Sequence, residues 1–307
     1  MGKIGHSFDD GGAAGGASWL LWSTLFIVVP ALAILAYVIL APTPEISENG
    51  AQNPSGVAVE HGFGQGEARG EDSTEGPQLR VAVAPVVSPE ASLMLYRGLV
   101  DYLGEAVGRK GVMIQRSSYS EINALIRQDQ VDMAFVCTYS YVQGADDFGL
   151  MAIATPVVRG HSHYRSLFIV PSSSKADSIF DLQGKRLASS DILSNTGWLY
   201  PSYLLRRKGL DIKSFFSEIV FTHGHDRAVK AVASRFVDGA AVDNLVYEQL
   251  SHEDPTIAAG TRVVMKSPEF GMPPVVIPPK VDPRLRERLK RVLLSMHESA
   301  DGRAILR

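Results

Sequence analysis

From Leu79 onward the chain alternates short apolar runs with stretches of helical periodicity. Residues 79–85 are a predicted strand, and Ser88-Pro89-Glu90 then supplies an N-cap, a first-turn proline and early negative charge. Apolar side chains follow at i, i+3, i+4 and i+7, namely Leu93, Tyr96, Leu99, Val100, Leu103 and Val107. Residues 111–115 and 131–137 are predicted strands with a helix between them at 120–127. This alternation predicts an α/β fold built on largely parallel sheet.

A second series of the same kind begins near residue 164. Its predicted strands are 164–170, 185–189, 218–222 and 237–242, and its predicted helices are 196–208 and 225–235. The run VDMAFV at 131–136 resembles VDGAAV at 237–242, and each follows an amphipathic helix. Coincidence between two buried strands is the alternative, but the matching element order favours two related lobes. We expect lobe 1 at about 78–168 and 246–307 and lobe 2 at about 169–245, within a two-lobed domain at 78–307, with a ligand crevice between them.

The first 77 residues differ in composition from the rest. Residues 19–41 are almost wholly apolar, which is long enough for a transmembrane helix through a hydrocarbon core of about 30 Å. A cleaved signal peptide is the alternative, but its apolar region is usually about 7–15 residues and no clear cleavage site follows this run. Residues 42–77 are rich in Gly, Pro, Ser, Glu and Asn, which is typical of a disordered, flexible linker.

Charge near the apolar run gives its orientation. Lys3 is the only strong base before it, and no Lys or Arg follows until Arg69. This bias favours a short cytoplasmic segment at 1–18 and a single pass through the inner membrane. We therefore expect the C-terminal domain in the periplasm or outside the cell.

Composition and motifs exclude several classes of function. A formal net charge of −3 gives no electrostatic footprint for nucleic acid, so no nucleic-acid partner is expected. Cys137 is the only cysteine, which excludes an intrachain disulfide framework. The histidine pairs at 161/163 and 223/225 lack a carboxylate partner at a recognised spacing, so neither a metal nor a cofactor is expected. No Walker loop, nucleophile elbow, metalloprotease motif or dinucleotide fingerprint occurs, so no catalytic residue and no enzymatic activity is expected.

The segment Ser194-Asn195-Thr196-Gly197 stands between a predicted strand and a predicted helix. The start of a helix presents N–H groups without intrahelical partners and the positive end of the helix dipole. Hydroxyl and amide side chains add donors there, and glycine lets a ligand approach the backbone, so the segment suits phosphate, phosphonate or carboxylate. An ordinary N-cap explains the same residues, and the residues alone leave both interpretations open.

A second helix start, Thr222-His223-Gly224-His225-Asp226, also follows a predicted strand. If it faces the same crevice, His225 could donate to an anion while Asp226 caps the helix. Asp243 follows the last strand of lobe 2 and could orient a histidine or accept from a ligand hydroxyl or amine. A solvated turn is the alternative.

Three tyrosines, Tyr119, Tyr139 and Tyr141, lie at or just after the ends of lobe-1 strands. A tyrosine ring at such a position can wall a pocket and donate one hydrogen bond to an anion. One of Tyr139 and Tyr141 is expected to face the core instead.

The chain resembles a known family most clearly in Phe180–Ala188 (FDLQGKRLA), followed by Ser194–Gly197 and Pro201. The run GHD at 224–226 and Val237–Asp243 (VDGAAVD) continue the resemblance. Over about residues 79–306 the chain is similar to the phosphate/phosphite/phosphonate-binding proteins of ABC transporters. The resemblance implies a two-lobed type II periplasmic-binding-protein-like fold whose lobes, joined by hinge strands, close on an oxyanion.

Carried over position by position, the resemblance implies a set of ligand-binding residues. It assigns Ser194, Asn195, Thr196 and Gly197 to the family's anion loop, His225 and Asp243 to its second-lobe ligand positions, and Tyr119 and Tyr141 to its first-lobe aromatic positions. Asn195 stands where a second hydroxyl residue is usual, and the chain stops where relatives often continue.

These observations together predict a membrane-anchored extracytoplasmic solute-binding protein for a phosphonate- or phosphate-like oxyanion. An ABC permease or a membrane sensor kinase would be its partner. The alternatives are a ligand-sensing domain of a membrane signalling system, a sulfonate or thiamine-precursor binding protein, and an enzyme that uses His225 and Asp243 as an acid/base pair.

Overall fold

The computed structural model of the chain describes residues 76–306. The transmembrane helix expected at 19–41, the segment 1–18 and the linker up to residue 75 lie outside the described residues. Within residues 76–306, no helix has both the length and the apolar character that crossing a bilayer requires.

A first five-stranded sheet is built from the beginning and the end of this region. Its strands are β1 (Gln78–Val83), β2 (Lys110–Gln115), β3 (Met133–Phe135), β4 (Met151–Ala154) and β12 (Val275–Ile277). They lie in the order β2-β1-β3-β12-β4. The first three are parallel, whereas β12 runs antiparallel to both of its neighbours. Both faces are covered, because along β1 the side chain of Val81 enters one apolar cluster and that of Ala82 enters another.

The second five-stranded sheet has the same mixed character. Its strands are β6 (Ser166–Pro171), β7 (Arg186–Ser189), β8 (Glu218–Phe221), β9 (Gly239–Asp243) and β10 (Thr261–Lys266). They lie in the order β10-β6-β9-β7-β8. β7 is parallel to β8 and β9, and β6 is antiparallel to β9 and β10. The α/β class is therefore as predicted, with antiparallel strands in both sheets.

Helices cover the faces of each sheet. The helices on the side of the first sheet are α1 (Pro89–Ala106), α2 (Tyr119–Arg127), α3 (Thr138–Phe148), α9 (Pro283–Ser295) and α10 (Ala300–Ile305). The helices on the side of the second sheet are α4 (Tyr200–Arg206), α5 (Ile212–Phe215), α6 (His225–Ala233), α7 (Asn244–Glu253) and α8 (Pro255–Gly260). Shorter turns lie at Ile179–Leu182 and Met296–Glu298 (3-10) and at Asn195–Leu199 (π-helical).

The chain crosses between the two sheets twice. The crossings contain β5 (His163–Tyr164) and β11 (Phe270–Gly271), which pair with each other antiparallel. We refer to residues 76–154 and 272–306 as lobe 1 and to residues 166–266 as lobe 2.

These lobes differ from the expected boundaries at the C-terminal side. We expected the return to lobe 1 at about residue 246, but β10 pairs with β6 in the second sheet. The buried side chain of Ile257 in α8 also packs in the same cluster as Val229 and Val232 of α6. Residues 246–266 therefore complete lobe 2, a pairing between distant segments that local periodicity does not reveal.

Candidate functional site

The two expected helix starts meet at one buried histidine. Nε2 of His225 lies 3.1 Å from Oγ of Ser190 and 3.4 Å from Oγ of Ser194. The backbone N–H of Asp243 donates to Nδ1 of His225 at 3.2 Å. Because Nδ1 accepts this bond, the proton of the neutral ring lies on Nε2, which donates toward the serine hydroxyls.

The charge state of His225 follows from its surroundings. Its side chain is 1% exposed. Burial lowers the pKa of His225 to about 4, although the negative charge of Asp226 acts in the opposite direction. The ring is therefore neutral near pH 7. We expected it to contact the anion directly, but in the closed form described here both ring nitrogens have protein partners, and the ring orients Ser190 and Ser194.

The 194–197 segment is both a helix cap and a rigid platform. Oγ of Ser194 accepts a hydrogen bond from the N–H of Gly197 at 3.0 Å, so the N-cap interpretation is confirmed. Below it, the hydroxyls of Ser166 and Ser189 donate to the carbonyl oxygens of Thr196 and Gly197 at 2.8 and 2.9 Å. Capping does not exclude ligand binding, because the Thr196 side chain takes no part in it.

Glycine at 197 is required by packing. A Cβ atom at this position would lie 2.7 Å from Oγ of Ser190 and 3.1 Å from Oγ of Ser194. Side chains do not tolerate such contacts without displacement. Gly197 thus lets the two serine hydroxyls approach the backbone, whereas the sequence suggested that this glycine would let a ligand approach it.

Tyr119 packs in the same cluster as Cys137, which contacts the 194–197 segment. Two hydroxyls of these elements are buried without any hydrogen-bond partner, Oγ1 of Thr196 in lobe 2 and the phenolic oxygen of Tyr119 in lobe 1. Their side chains are 1% and 0% exposed. A buried hydroxyl without a partner costs about 1–3 kcal/mol, so such groups are rare unless something else completes them. Two more hydroxyls lack partners in the described part of the chain, Ser202 and Ser251, but these lie within helices α4 and α7. We call Tyr119, Ser190, Ser194, Thr196 and His225 the polar cluster.

The lobes are closed over the polar cluster by hydrogen bonds from one lobe to the other. The N–H of His225 donates to the carbonyl oxygen of Val86 at 2.8 Å, and the N–H of Ser88 donates to a carboxylate oxygen of Asp226 at 3.0 Å. The N–H of Tyr119 donates to Asp191 at 3.0 Å. The helix-start amide of His225, which we expected to face an anion, is therefore used in holding the lobes together.

Asn195 extends this contact between the lobes. Its N–H lies 3.3 Å from Sγ of Cys137, and its side-chain amide donates to the hydroxyl of Tyr164 at 3.1 Å. The Tyr164 hydroxyl in turn donates to Thr138 at 3.2 Å. Burial raises the pKa of Cys137, so its thiol is packed and protonated.

Asp243 ends β9 and caps α7, accepting the N–H of Leu245 at 2.7 Å. Burial raises the pKa of the Asp243 carboxyl to about 6, and the backbone N–H groups of Leu245 and Val246 only partly offset this effect. Burial raises the pKa of Tyr96 and of Tyr164, and the negative charge of Asp243 adds to this effect in both residues.

The expected aromatic positions behave differently from each other. Tyr119 belongs to the polar cluster as defined above, whereas Tyr141 is half-buried on α3 and packs against the apolar core of lobe 1. Tyr164, in the first crossing, supplies the aromatic hydroxyl that touches the 194–197 segment. The prediction that one of Tyr139 and Tyr141 faces the core agrees with the packing of Tyr141.

Ser190, Asp191 and Tyr164 were not selected from the sequence. A signal existed for the first two, because they directly follow β7, and the carboxyl ends of sheet strands border the crevice in α/β folds. The remaining histidines of the two pairs, His161, His163 and His223, are exposed, and no cluster suited to a metal occurs among residues 76–306.

Two mixed sheets, two crossings and a closed cleft with unpartnered buried hydroxyls define a two-lobed solute-binding protein of the type II periplasmic class. Solved structures share this fold. A binding protein component of an ABC phosphonate transporter from Pseudomonas aeruginosa aligns with a TM-score of 0.69 and 20% identity, covering 75% of this chain and 78% of that one. PhnD1 from Prochlorococcus marinus, solved with methylphosphonate, aligns with a TM-score of 0.65 and 20% identity, covering 74% and 88%.

The family model described as "ABC transporter, phosphonate, periplasmic substrate-binding protein" matches residues 81–307, and the chain belongs to this family. A curated relative, the phosphate-import protein PhnD of Mycolicibacterium smegmatis, is 25% identical over 201 residues, which cover 62% of each chain. The family consists of substrate-binding proteins and not of enzymes, in agreement with the expectation from the sequence. Membership of a periplasmic family also supports an extracytoplasmic location.

Proposed function

We propose that this chain is a membrane-anchored solute-binding protein that encloses a phosphonate- or phosphate-like oxyanion between its lobes. The observation that carries the proposal is the pair of unpartnered buried hydroxyls, Thr196 and Tyr119, contributed by opposite lobes. An oxyanion has several acceptor oxygens and would complete both groups at once. The ligand would then belong to the closed state, because it bridges groups that only closure brings together.

The site would recognise its anion through neutral donors. The described contacts of the polar cluster are hydroxyls, an imidazole and backbone amides, and none of them involves a Lys or Arg side chain. Hydrogen bonds from neutral donors to an ionised ligand contribute about 1.5–3 kcal/mol each. Selectivity among tetrahedral oxyanions would therefore depend on how many oxygens are protonated and on where they point.

The protonation state of Asp243 would influence which anion binds. Below about pH 6 its carboxyl is protonated and able to donate to an oxyanion, whereas above this value it repels anions and favours a ligand that carries an amine. A simple anion such as methylphosphonate should therefore bind more tightly at pH 5 than at pH 7.5. An aminoalkylphosphonate should show a smaller loss over the same range.

The remaining parts of the proposal are the anchor and the transport role. The apolar run at 19–41 supports a single transmembrane helix, and the family supports a partnership with an ABC permease. The name of the mycobacterial relative refers to phosphate import, and the Prochlorococcus structure contains methylphosphonate, so both ligand classes are candidates for this chain. Carbonate extraction of membranes should leave the full chain in the pellet and release a variant that begins at residue 42.

A ligand panel tests the binding function. Thermal unfolding of the full chain in detergent would be followed with phosphate, phosphite, methylphosphonate, aminoethylphosphonate, sulfate and taurine, with isothermal calorimetry on every ligand that raises the midpoint. At least one phosphorus oxyanion should stabilise the protein more than sulfate and taurine do. Stabilisation by taurine alone, or by no member of the panel, would contradict the proposal.

A further inference from the structure

A mostly apolar cavity adjoins the polar cluster, and a small oxyanion held by that cluster would leave it unused. Its volume is about 380 Å³. Lobe 1 contributes most of its lining, and lobe 2 contributes Asp243, Leu245 and Val246. We call this cavity the apolar chamber; its larger apolar side chains are Tyr96, Leu99, Phe135, Met272, Leu293 and Met296.

The apolar chamber meets the polar cluster at two residues. Asp243 lines the chamber, and its backbone N–H donates to His225. Val86 also lines the chamber, and its carbonyl oxygen accepts the N–H of His225. Thus the same two residues form part of the chamber wall and hold the histidine that orients the serines.

The walls favour an organic group with a flat face. Tyr96 and Phe135 stand with their ring centroids 5.0 Å apart and form an aromatic wall. Asp243 is the only carboxylate in the lining, and its negative charge contributes, after burial, to the raised pKa of Tyr96. Water inside the chamber finds few polar partners, so an apolar group gains by displacing it.

The volume exceeds what a small anion requires. A cavity of about 150 Å³ lined by apolar side chains is enough to bind benzene, and pockets for organic ligands range from about 300 to 1,000 Å³. A methyl group would leave most of the apolar chamber empty. Leu95 and Leu306, which also line it, are 64% and 54% exposed, so the chamber opens to solvent on that side.

We propose that the apolar chamber holds the organic substituent of the bound oxyanion, and that this substituent is an aryl or branched alkyl group. The substrate class would then be bulky organophosphonates, with the phosphonate at the polar cluster and the carbon group between α1, the first crossing and the C-terminal helices. This inference rests on the proposed function, because the substituent enters the chamber only when its anion is held beside it.

The test compares one large and one small ligand on the full chain. By calorimetry, benzylphosphonate should bind at least about tenfold more tightly than methylphosphonate, since it buries an additional apolar ring. Val246→Trp fills the chamber from lobe 2 and Ala154→Met fills it from lobe 1. Each should remove most of the preference for benzylphosphonate and change methylphosphonate affinity by less than about threefold. Retained methylphosphonate binding also shows that each variant is folded.

Val142→Trp is the matched control, because Val142 is 46% exposed on α3 and does not line the apolar chamber. It should leave both affinities unchanged. Equal affinity for the two ligands in the unmodified chain would overturn the inference and leave the proposed function standing. Weakening of both ligands to the same extent by Val246→Trp and Ala154→Met would also overturn it, whereas failure of every phosphorus oxyanion to bind would remove the proposed function itself.

Discussion

The substitution Thr196→Val tests whether the Thr196 hydroxyl binds the ligand or stabilises the fold. Valine has nearly the shape of threonine and lacks the hydroxyl, which is buried here without a partner. If this hydroxyl donates to a bound oxyanion, its loss removes about 1.5–3 kcal/mol and raises Kd about 10- to 150-fold. In the unliganded protein the same change removes a buried polar group that costs about 1–3 kcal/mol. The free energy of unfolding should therefore stay the same or increase while the affinity falls.

Thr261→Val is the matched control for this substitution. Thr261 is also buried, but its hydroxyl donates to the carbonyl oxygen of Ile257 at 2.8 Å and lies 3.0 Å from the hydroxyl of Tyr247. Removing it should lower the free energy of unfolding by about 1–3 kcal/mol, because two partners are left incomplete. It should not change Kd, since Thr261 lies on the edge strand β10.

Both variants would be measured by urea unfolding without ligand and by calorimetry with the tightest phosphorus oxyanion of the panel. Tyr119→Phe is expected to behave like Thr196→Val, since it removes the other unpartnered hydroxyl. The reasoning would be refuted if Thr196→Val lost stability as Thr261→Val does and kept its affinity. That result would mean that the hydroxyl has a structural partner and no ligand.

Three further predictions concern titration, packing and closure. Between pH 4 and 6 the native state keeps the Asp243 proton that the unfolded chain has lost, so this carboxyl makes the free energy of unfolding fall with rising pH. His225 has the opposite effect, because its lowered pKa means that the unfolded chain holds a proton that the native ring has lost. As the pH rises from 4 to 6, urea titrations should therefore show the stability of Asp243→Asn increasing, and that of His225→Gln decreasing, by about 2 kcal/mol relative to the unmodified chain. Gly197→Ala should destabilise by about 1–3 kcal/mol because its Cβ meets Ser190, whereas Gly98→Ala, with open space in α1, should stabilise by about 0.5–1 kcal/mol in the same assay. Asp226→Ala removes the bond that Ser88 donates across the cleft, so X-ray scattering should show a larger radius of gyration and calorimetry a weaker methylphosphonate affinity; an unchanged radius would argue against this bond holding the lobes closed.

The sequence predicted elements with strong local patterns well. The strands predicted at 111–115, 185–189 and 218–222 differ from β2, β7 and β8 by at most one residue at either end. Helices α3 and α7 were not predicted, because α3 buries only Ser140 and Gly144 and α7 buries no side chain, so neither shows an apolar stripe. In α1 the expected core position Leu93 is 46% exposed, and Ser92 is buried in its place, with its hydroxyl donating to the carbonyl oxygen of Val87.

The site shows a clearer limit of prediction. Helix-start chemistry singled out the 194–197 segment and His225, and the structure brings these residues together, since both follow strands of the same sheet. The hydrogen bonds that determine their roles join residues far apart in the chain, 31 positions between Ser194 and His225 and 138 between Ser88 and Asp226. Local pattern carries no information on such pairs, so His225 was expected to contact the anion directly although its ring contacts serines.

The ends of three parallel strands, β7, β8 and β9, bring polar residues of the cleft together. Ser190 and Asp191 follow β7, Asp243 ends β9, and the 223–226 turn follows β8, so one edge of the second sheet supplies most of the polar residues of the cleft. Because parallel strands direct their carboxyl ends to one edge, a polar residue just beyond an apolar run carries positional information that composition does not. Asp243 shows the consequence most directly: it caps α7, holds the ring of His225 through its N–H and lines the apolar chamber. A substitution that moves this strand end should therefore alter anion affinity and substituent preference together, whereas one confined to the chamber wall should alter only the preference.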